Sequence, residues 1–244
     1  MNLLSPVIIL IEPQLGENIG STSRAMLNFE VKNLRLVKPR DGWPNPNAKA
    51  RAAGALEDKA FNVSVFKNLK EASTDISYLL ATSSRHRDIN KPVYNSSEAI
   101  FNIIKAETNN MRTGVVFGGE KSGLNNDDLV KADGIINIDC NKDFNSINLS
   151  MSVLTICFQW FIEKEKISSI IKNSNNKNKN LATKYELNYF IDRLINILEA
   201  TKFFNPDEKK KVMITNIEAI FTRNNLTVQE LKTLHGIITS ITKD

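Results

Sequence analysis

Six short runs of branched apolar residues recur through the first 139 positions: "VIILIE" (Val7–Glu12), "NLRLVKP" (Asn33–Pro39), "VSVF" (Val63–Phe66), "YLLATSS" (Tyr78–Ser84), "GVVFG" (Gly114–Gly118) and "GIINID" (Gly134–Asp139). The first is apolar without interruption until Glu12 and Pro13, the pattern of a strand buried on both faces. Helical stretches lie between the runs. "GSTSRAMLNF" carries Ala25, Met26 and Phe29 at helical spacing with Ser21 as the expected N-cap, and "AKARAAGAL" and "SSEAIFNIIKAE" follow the same rule. Strands alternating with helices predict an α/β layer structure around a mostly parallel sheet. Such sheets bind ligands beyond the carboxyl ends of their strands. The loops to inspect are Pro13–Gly20, Thr82–Pro92, Gly118–Asn126 and Asn141–Asn148, all polar and rich in Gly, Ser or Asn.

The pattern changes after residue 148. "NLSMSVLTICFQWFIEKEK" reads as a long amphipathic helix with Val153, Ile156, Cys157, Trp160 and Phe161 on its apolar face. "NSNNKNKN" (Asn173–Asn180) has no apolar residue and is expected to be a flexible linker. Helical segments follow near Lys184–Ala200, Pro206–Arg223 and Val228–Thr242. The 244 residues are therefore divided into an α/β domain over 1–166, a linker over 167–182 and a small all-helical extension over 183–244.

Composition narrows the classes of function. No run approaches the ~18 apolar residues of a membrane span. The opening "MNLLSPVIILIEPQLG" lacks a basic region before its apolar run, so no secretory leader and a cytoplasmic location are expected. Cys140, Cys157, His86 and His235 are scattered without zinc-type spacing; no metal is expected, and both cysteines are expected to be buried. A net charge of +5 fits an anionic partner such as nucleic acid. Arg24, Arg85 and Arg87 stand beside the inspected loops, where bidentate phosphate contacts are chemically suited to guanidinium.

The loop in "TGVVFGGEKSGLNNDDL" is the candidate ligand loop. Gly123 is followed by Leu124 and Asn125, which excludes a Walker A phosphate loop, and glycines at 118, 119 and 123 do not make the dinucleotide fingerprint. A hydrolase serine elbow is absent as well. By itself the loop reads as a tight turn. It belongs, however, to an ordered set: "ENIGSTSRAM", "ATSSRHRDINKPV", "VVFGGEKSGLNNDDL" and "FNSINLSMSV". Three motifs recur in it: Asn18, Gly20 and Arg24; then Phe117, Gly118, Glu120, Gly123 and Leu124; then Ser146, Asn148, Leu149 and Ser150. Across about residues 5–165 the chain resembles the SPOUT methyltransferases of the SpoU/TrmH branch, which act on RNA ribose. "IFTRNNLTVQELKTLHGIITSI" is similar to the helical extension of TrmJ-type tRNA enzymes, which methylate the 2′-oxygen of anticodon-loop nucleotide 32.

The resemblance implies a parallel sheet with a deep trefoil knot in its C-terminal part, homodimers paired through the knotted domains, tRNA as substrate and S-adenosyl-L-methionine as cofactor. It places Thr82, Ser83, Ser84, Gly118, Ile138, Asn145, Ser146 and Ile147 around the cofactor. It assigns Arg24 the proposed base or activator; since a free guanidinium is a poor base, the expected role is to grip the substrate phosphate and stabilise the developing alkoxide. Asn18 and Asn148 are expected to orient Arg24 and the ribose, Ser146 to contact the 2′-hydroxyl, and Glu120 to hold its loop or form a simple salt bridge. Arg85 and Arg87 either contact RNA phosphates or are solvated, and His86 could serve as a base on pKa grounds alone. The apolar face of the 148–166 helix is the expected dimer contact. Gly119 stands where TrmJ-like relatives carry arginine, which suggests a looser loop, and Asn145 replaces a commoner serine. Competing readings are ribose methylation of ribosomal RNA or of the wobble nucleotide, or an inactive RNA-binding protein of the same fold.

Overall fold

The computed structural model describes residues 4–84, 90–141, 143–171 and 181–242. Seven strands, β1 (Val7–Ile11), β2 (Asn33–Val37), β3 (Asn62–Phe66), β4 (Tyr78–Thr82), β5 (Val93–Asn95), β6 (Thr113–Phe117) and β7 (Gly134–Asn137), form one parallel sheet in the order β3-β2-β1-β6-β4-β7-β5. The predicted α/β class and all six predicted strands are present. Strand β5 was not predicted: its three residues are too short to show a period, and it sits at the sheet edge beside β7.

Period-two alternation sorts the strand residues onto two covered faces. Ile8, Leu10, Leu34, Leu36, Val115 and Phe117 pack against α1 (Gly16–Asn28), α4 (Ser96–Thr108) and α6 (Leu149–Ile171). Val7, Ile9, Val37, Leu79 and Val116 face α3 (Leu69–Ala72), together with Leu124 and with Leu129 of α5 (Asn126–Leu129). The short helix α2 (Pro46–Arg51) packs on α1.

Helix α1 corrects one expectation. It starts at Gly16 and not after Ser21, so Asn18 lies in the first turn of a helix and not in a loop. Its N-cap, Leu15, has no side-chain cap. The Glu120 carboxylate takes that place by accepting from the backbone N–H groups of Gln14 (2.8 Å) and Leu15 (3.2 Å). A negative group at a helix N-terminus is favourable, and here it comes from another strand's loop.

Helix α6 is apolar on two sides. Val153, Ile156, Cys157 and Trp160 are buried in the core, whereas Met151, Leu154, Phe158 and Ile162 form an exposed stripe. The residues expected to define its apolar face are thus mainly core, and the free stripe is a different set. The helix also runs on to Ile171, into the stretch expected as linker.

Helices α7 (Lys184–Ala200), α8 (Lys210–Thr222) and α9 (Val228–Ile241) enclose a separate core built on Leu187, Phe190, Ile191 and Leu231. Capping boxes at Thr183/Glu186 and Thr227/Glu230 start α7 and α9. The first turn of α7 docks on the turn between α3 and β4: Lys184 N–H donates to Ile76 O (2.6 Å) and Tyr185 N–H to Thr74 O (3.1 Å). The Lys184 ammonium pairs with the Asp133 carboxylate, both buried, and Asp133 also accepts from Leu79 N–H at 2.7 Å. A second buried cation, Lys91, donates to Val130 O (2.6 Å), to Ala132 O and to Thr222 Oγ1 on α8 (2.6 Å), and burial pushes its pKa down to about 7.

Candidate active site

The adjacent strands β6, β4 and β7 end around a cavity of about 200 Å³, where parallel strands deliver their loops. Thr82, Ser83 and Ser84 continue β4, Gly118 continues β6 and Ile138 continues β7. Asn145, Ser146 and Ile147 close it from the segment before α6. All eight residues expected around the cofactor line this one cavity. The sequence reading missed Lys121, Ser122, Ile136 and Ser152, which also line it. The first two are the unspecified positions inside the glycine motif, Ile136 lies within β7, and Ser152 is on the first turn of α6, whose contribution showed only as helix.

The cavity wall is backbone where the motif places glycine. A Cβ on Gly118 would lie 2.2 Å from Gly123 C and 2.3 Å from Leu124 N, so any side chain would force the loop apart. The loop folds back on itself through a Gly119–Gly123 bridge, with Gly123 N–H donating to Gly119 O at 2.9 Å. This corrects the expectation of a looser loop. A Cβ on Gly119 would approach Glu12 O to 2.6 Å, so here the backbone itself lies against the end of β1.

Beside the cavity the three motifs are joined by hydrogen bonds. Asn18 Nδ2 donates to Glu120 Oε1 at 2.8 Å, and Asn148 Nδ2 donates to Asn18 Oδ1 at 3.1 Å. Asn148 Oδ1 accepts from Ser150 N–H (2.9 Å) and Ser150 Oγ (2.7 Å), which fixes which end of the amide meets Asn18. Partial burial would raise the Glu120 pKa, but donors from Asn18, Gln14 and Leu15 outweigh it and hold the carboxyl below its ordinary value. Glu120 is therefore a charged hub. Among the described residues its partners are amides and N–H groups, not the salt bridge that was the alternative.

Arg24 stands apart from this hub. It lies two turns further along α1 and lines a different hollow with Ser21, Ala25, Asn28, Ala50, Arg51, Ala53 and Leu154. A single copy of the chain does not bring Arg24 to the cavity. Arg85, Arg87 and His86 fall outside the described residues. His235 lies on α9 against Phe190, away from the cavity. Cys157 is buried, and burial raises its thiol pKa; Cys140 is exposed, contrary to expectation, because it follows β7 in the polar segment before α6. Among the described residues no group of three His, Cys, Asp or Glu is placed to hold a metal, and no helix is long and apolar enough to cross a membrane.

The chain's relatives point the same way. Residues 5–158 match the SpoU rRNA Methylase family, and residues 185–244 match the C-terminal domain of the tRNA methyltransferase TrmJ. The tRNA (cytidine/uridine-2′-O-)-methyltransferase TrmJ of Klebsiella pneumoniae is 32% identical over 238 residues, covering 96% of this chain and 95% of that protein. The crystal structure of TrmJ from Z. mobilis is similar with a TM-score of 0.87 and 34% identity, covering 98% of this chain and 100% of that one. The SpoU methyltransferase AviRb of Streptomyces viridochromogenes, solved in complex with AdoMet, shares the fold at a TM-score of 0.52 and 15% identity over 68% of this chain and 60% of its own.

Proposed function

The chain belongs to the SpoU methylase family with a TrmJ-type C-terminal domain, and from that premise we propose that it methylates the ribose 2′-hydroxyl of tRNA nucleotide 32. The observation that carries the reading is the Asn148–Asn18–Glu120 chain of hydrogen bonds at the edge of a backbone-walled cavity. The family uses S-adenosylmethionine, which supplies a methyl group on an electrophilic sulfonium. The site fits such a group: Gly118 leaves no Cβ in the wall, and among the described residues the cavity offers hydroxyls and main-chain groups without a cluster of cations that would demand a triphosphate.

In this reading Thr82, Ser83, Ser84, Gly118, Ile138, Asn145, Ser146 and Ile147 hold the donor. Ser146 faces the 2′-hydroxyl, and Asn18 and Asn148, aligned by Glu120, orient the ribose. Arg24 grips a phosphate and stabilises the alkoxide as the hydroxyl proton passes to solvent water. The new O–C bond forms as the S–C bond breaks, so positioning is the main task, able to lower the barrier by about 7–11 kcal/mol. No metal is needed for it.

The separation of Arg24 from the cavity favours a homodimer in which each arginine serves the partner's donor site. The exposed stripe of Met151, Leu154, Phe158 and Ile162 is the candidate contact, and Leu154 also borders the Arg24 hollow. We further assign the C-terminal part of the α/β region a trefoil knot, residues 1–166, 167–182 and 183–244 to catalytic domain, linker and extension, Arg85 and Arg87 to the RNA surface, and the cytoplasm as the site of action. The test is incubation of tRNA with the protein and S-adenosylmethionine, followed by mapping of ribose methylation. Methylation at nucleotide 32 supports the reading; methylation only at the wobble nucleotide or in ribosomal RNA, or none, overturns it.

A further inference from the structure

We propose that Arg51 joins Arg24 in a two-guanidinium site that holds one RNA phosphodiester, so that Arg51 is a positioning residue for the substrate strand. The inference deepens the methyltransferase reading and rests on it. Ser21, Arg24, Ala25 and Asn28 occupy positions i, i+3, i+4 and i+7 of α1, a single stripe along the helix. That stripe forms one wall of a hollow of about 290 Å³, and the end of α2, with Ala50, Arg51 and Ala53, forms the other. Leu154 of α6 completes the lining, and three alanines keep the rest of it small and uncharged.

Several cations of the molecule carry a carboxylate partner. Arg35 is bound bidentately by Asp75, and Arg40 by Asp41. Lys49, two residues before Arg51, pairs with Glu57 at 3.2 Å. Neither Arg24 nor Arg51 has a hydrogen bond or ion pair among the described residues, and no carboxylate lines the hollow. Two arginines therefore face one recess without a counterion, flanked by the neutral donors Ser21 and Asn28. Guanidinium presents paired N–H groups that match the two unesterified oxygens of a phosphodiester. A carboxylate-bearing peptide would meet the same donors, but the proposed substrate delivers phosphates, and phosphate contacts fix a protein's register on nucleic acid.

The test is tRNA affinity measured across salt concentration for the full-length protein and for Arg51→Ala and Arg51→Lys. Arg51→Ala is expected to weaken binding roughly tenfold at moderate salt and to flatten the plot of log K against log salt by about one unit. Arg51→Lys keeps the charge and is expected to retain the slope. Donor affinity, read by calorimetry with S-adenosylmethionine, is expected to match the wild type in both, which also verifies folding. An Arg51→Ala protein with wild-type affinity and slope overturns the inference while leaving the methyltransferase reading intact. A wild-type protein that neither binds nor methylates tRNA overturns both.

Discussion

Glu120 and Asn18, 102 residues apart in the chain, meet at 2.8 Å, and the same carboxylate oxygen accepts from the backbone N–H of Leu15. One side chain thus sets the start of helix α1 and the angle of the amide that reaches Asn148. Glu120→Gln keeps the size but replaces one acceptor oxygen by a donor, so either Gln14 or the pair Leu15 and Asn18 loses its acceptor. Because small misplacements in a positioned reaction cost about 100-fold, methyl transfer is expected to fall by about that factor. Single-turnover kinetics with saturating tRNA measure it; a wild-type rate would show that the hub does not position the ribose.

Arg24→Ala is expected to abolish turnover while donor affinity stays within a few-fold, because Arg24 lies outside the cavity proposed for the donor. Calorimetry beside a methylation assay separates the two effects. A large loss of donor binding would contradict the assignment.

The exposed stripe of α6 gives a third test. Phe158→Glu or Met151→Asp places a charge among exposed apolar side chains and is expected to yield a monomer by sedimentation, with methylation lost. Phe158 also meets Phe29 edge-on at 5.5 Å, so Met151→Asp is the cleaner variant. Variants that remain dimeric would move the interface elsewhere.

Glu107 predicts a pH dependence of stability. It accepts from Thr113 Oγ1 (2.7 Å) and from Trp160 Nε1 (3.1 Å) between α4 and α6, and burial, opposed by those two donors, pushes its pKa up from 4.5 to about 7. The folded protein therefore holds a proton that the unfolded chain has released between these values, so stability falls as pH rises. The contribution is full below about 4.5 and lost through about 7, on the order of 3 kcal/mol. Urea denaturation of wild type and Glu107→Gln across pH 4–8 measures it; the glutamine variant is expected to lack the slope.

Local pattern in the chain gave the sheet and its ligand-bearing ends. The uninterrupted run at Val7–Ile11 and the alternation at Asn33–Val37 became a buried central strand and its neighbour, as their periods require. The cavity residues came from the family resemblance; that they meet in one place depends on β6, β4 and β7 lying side by side, an order that no periodicity in the chain reveals. What failed was contact between distant segments. The start of α1 was misplaced because its cap comes from Glu120, and the free stripe of α6 was misread because both sides of that helix are apolar. The distance of Arg24 from the cavity was equally invisible, since adjacency in a motif says nothing about which face of a helix a residue takes. Lys184 and Asp133 gave no sequence signal as a buried pair; their partnership depends on how α7 lands on the turn that precedes β4.

Lys91 fastens the helical extension to the segment that enters edge strand β5. Its buried ammonium is clamped between the carbonyls of Val130 and Ala132 and the hydroxyl of Thr222 on α8. Leaving a buried cation short of a partner is costly. Thr222→Val removes one of the three acceptors, so a single methyl-for-hydroxyl exchange in the extension places its cost on a cation that belongs to the α/β region.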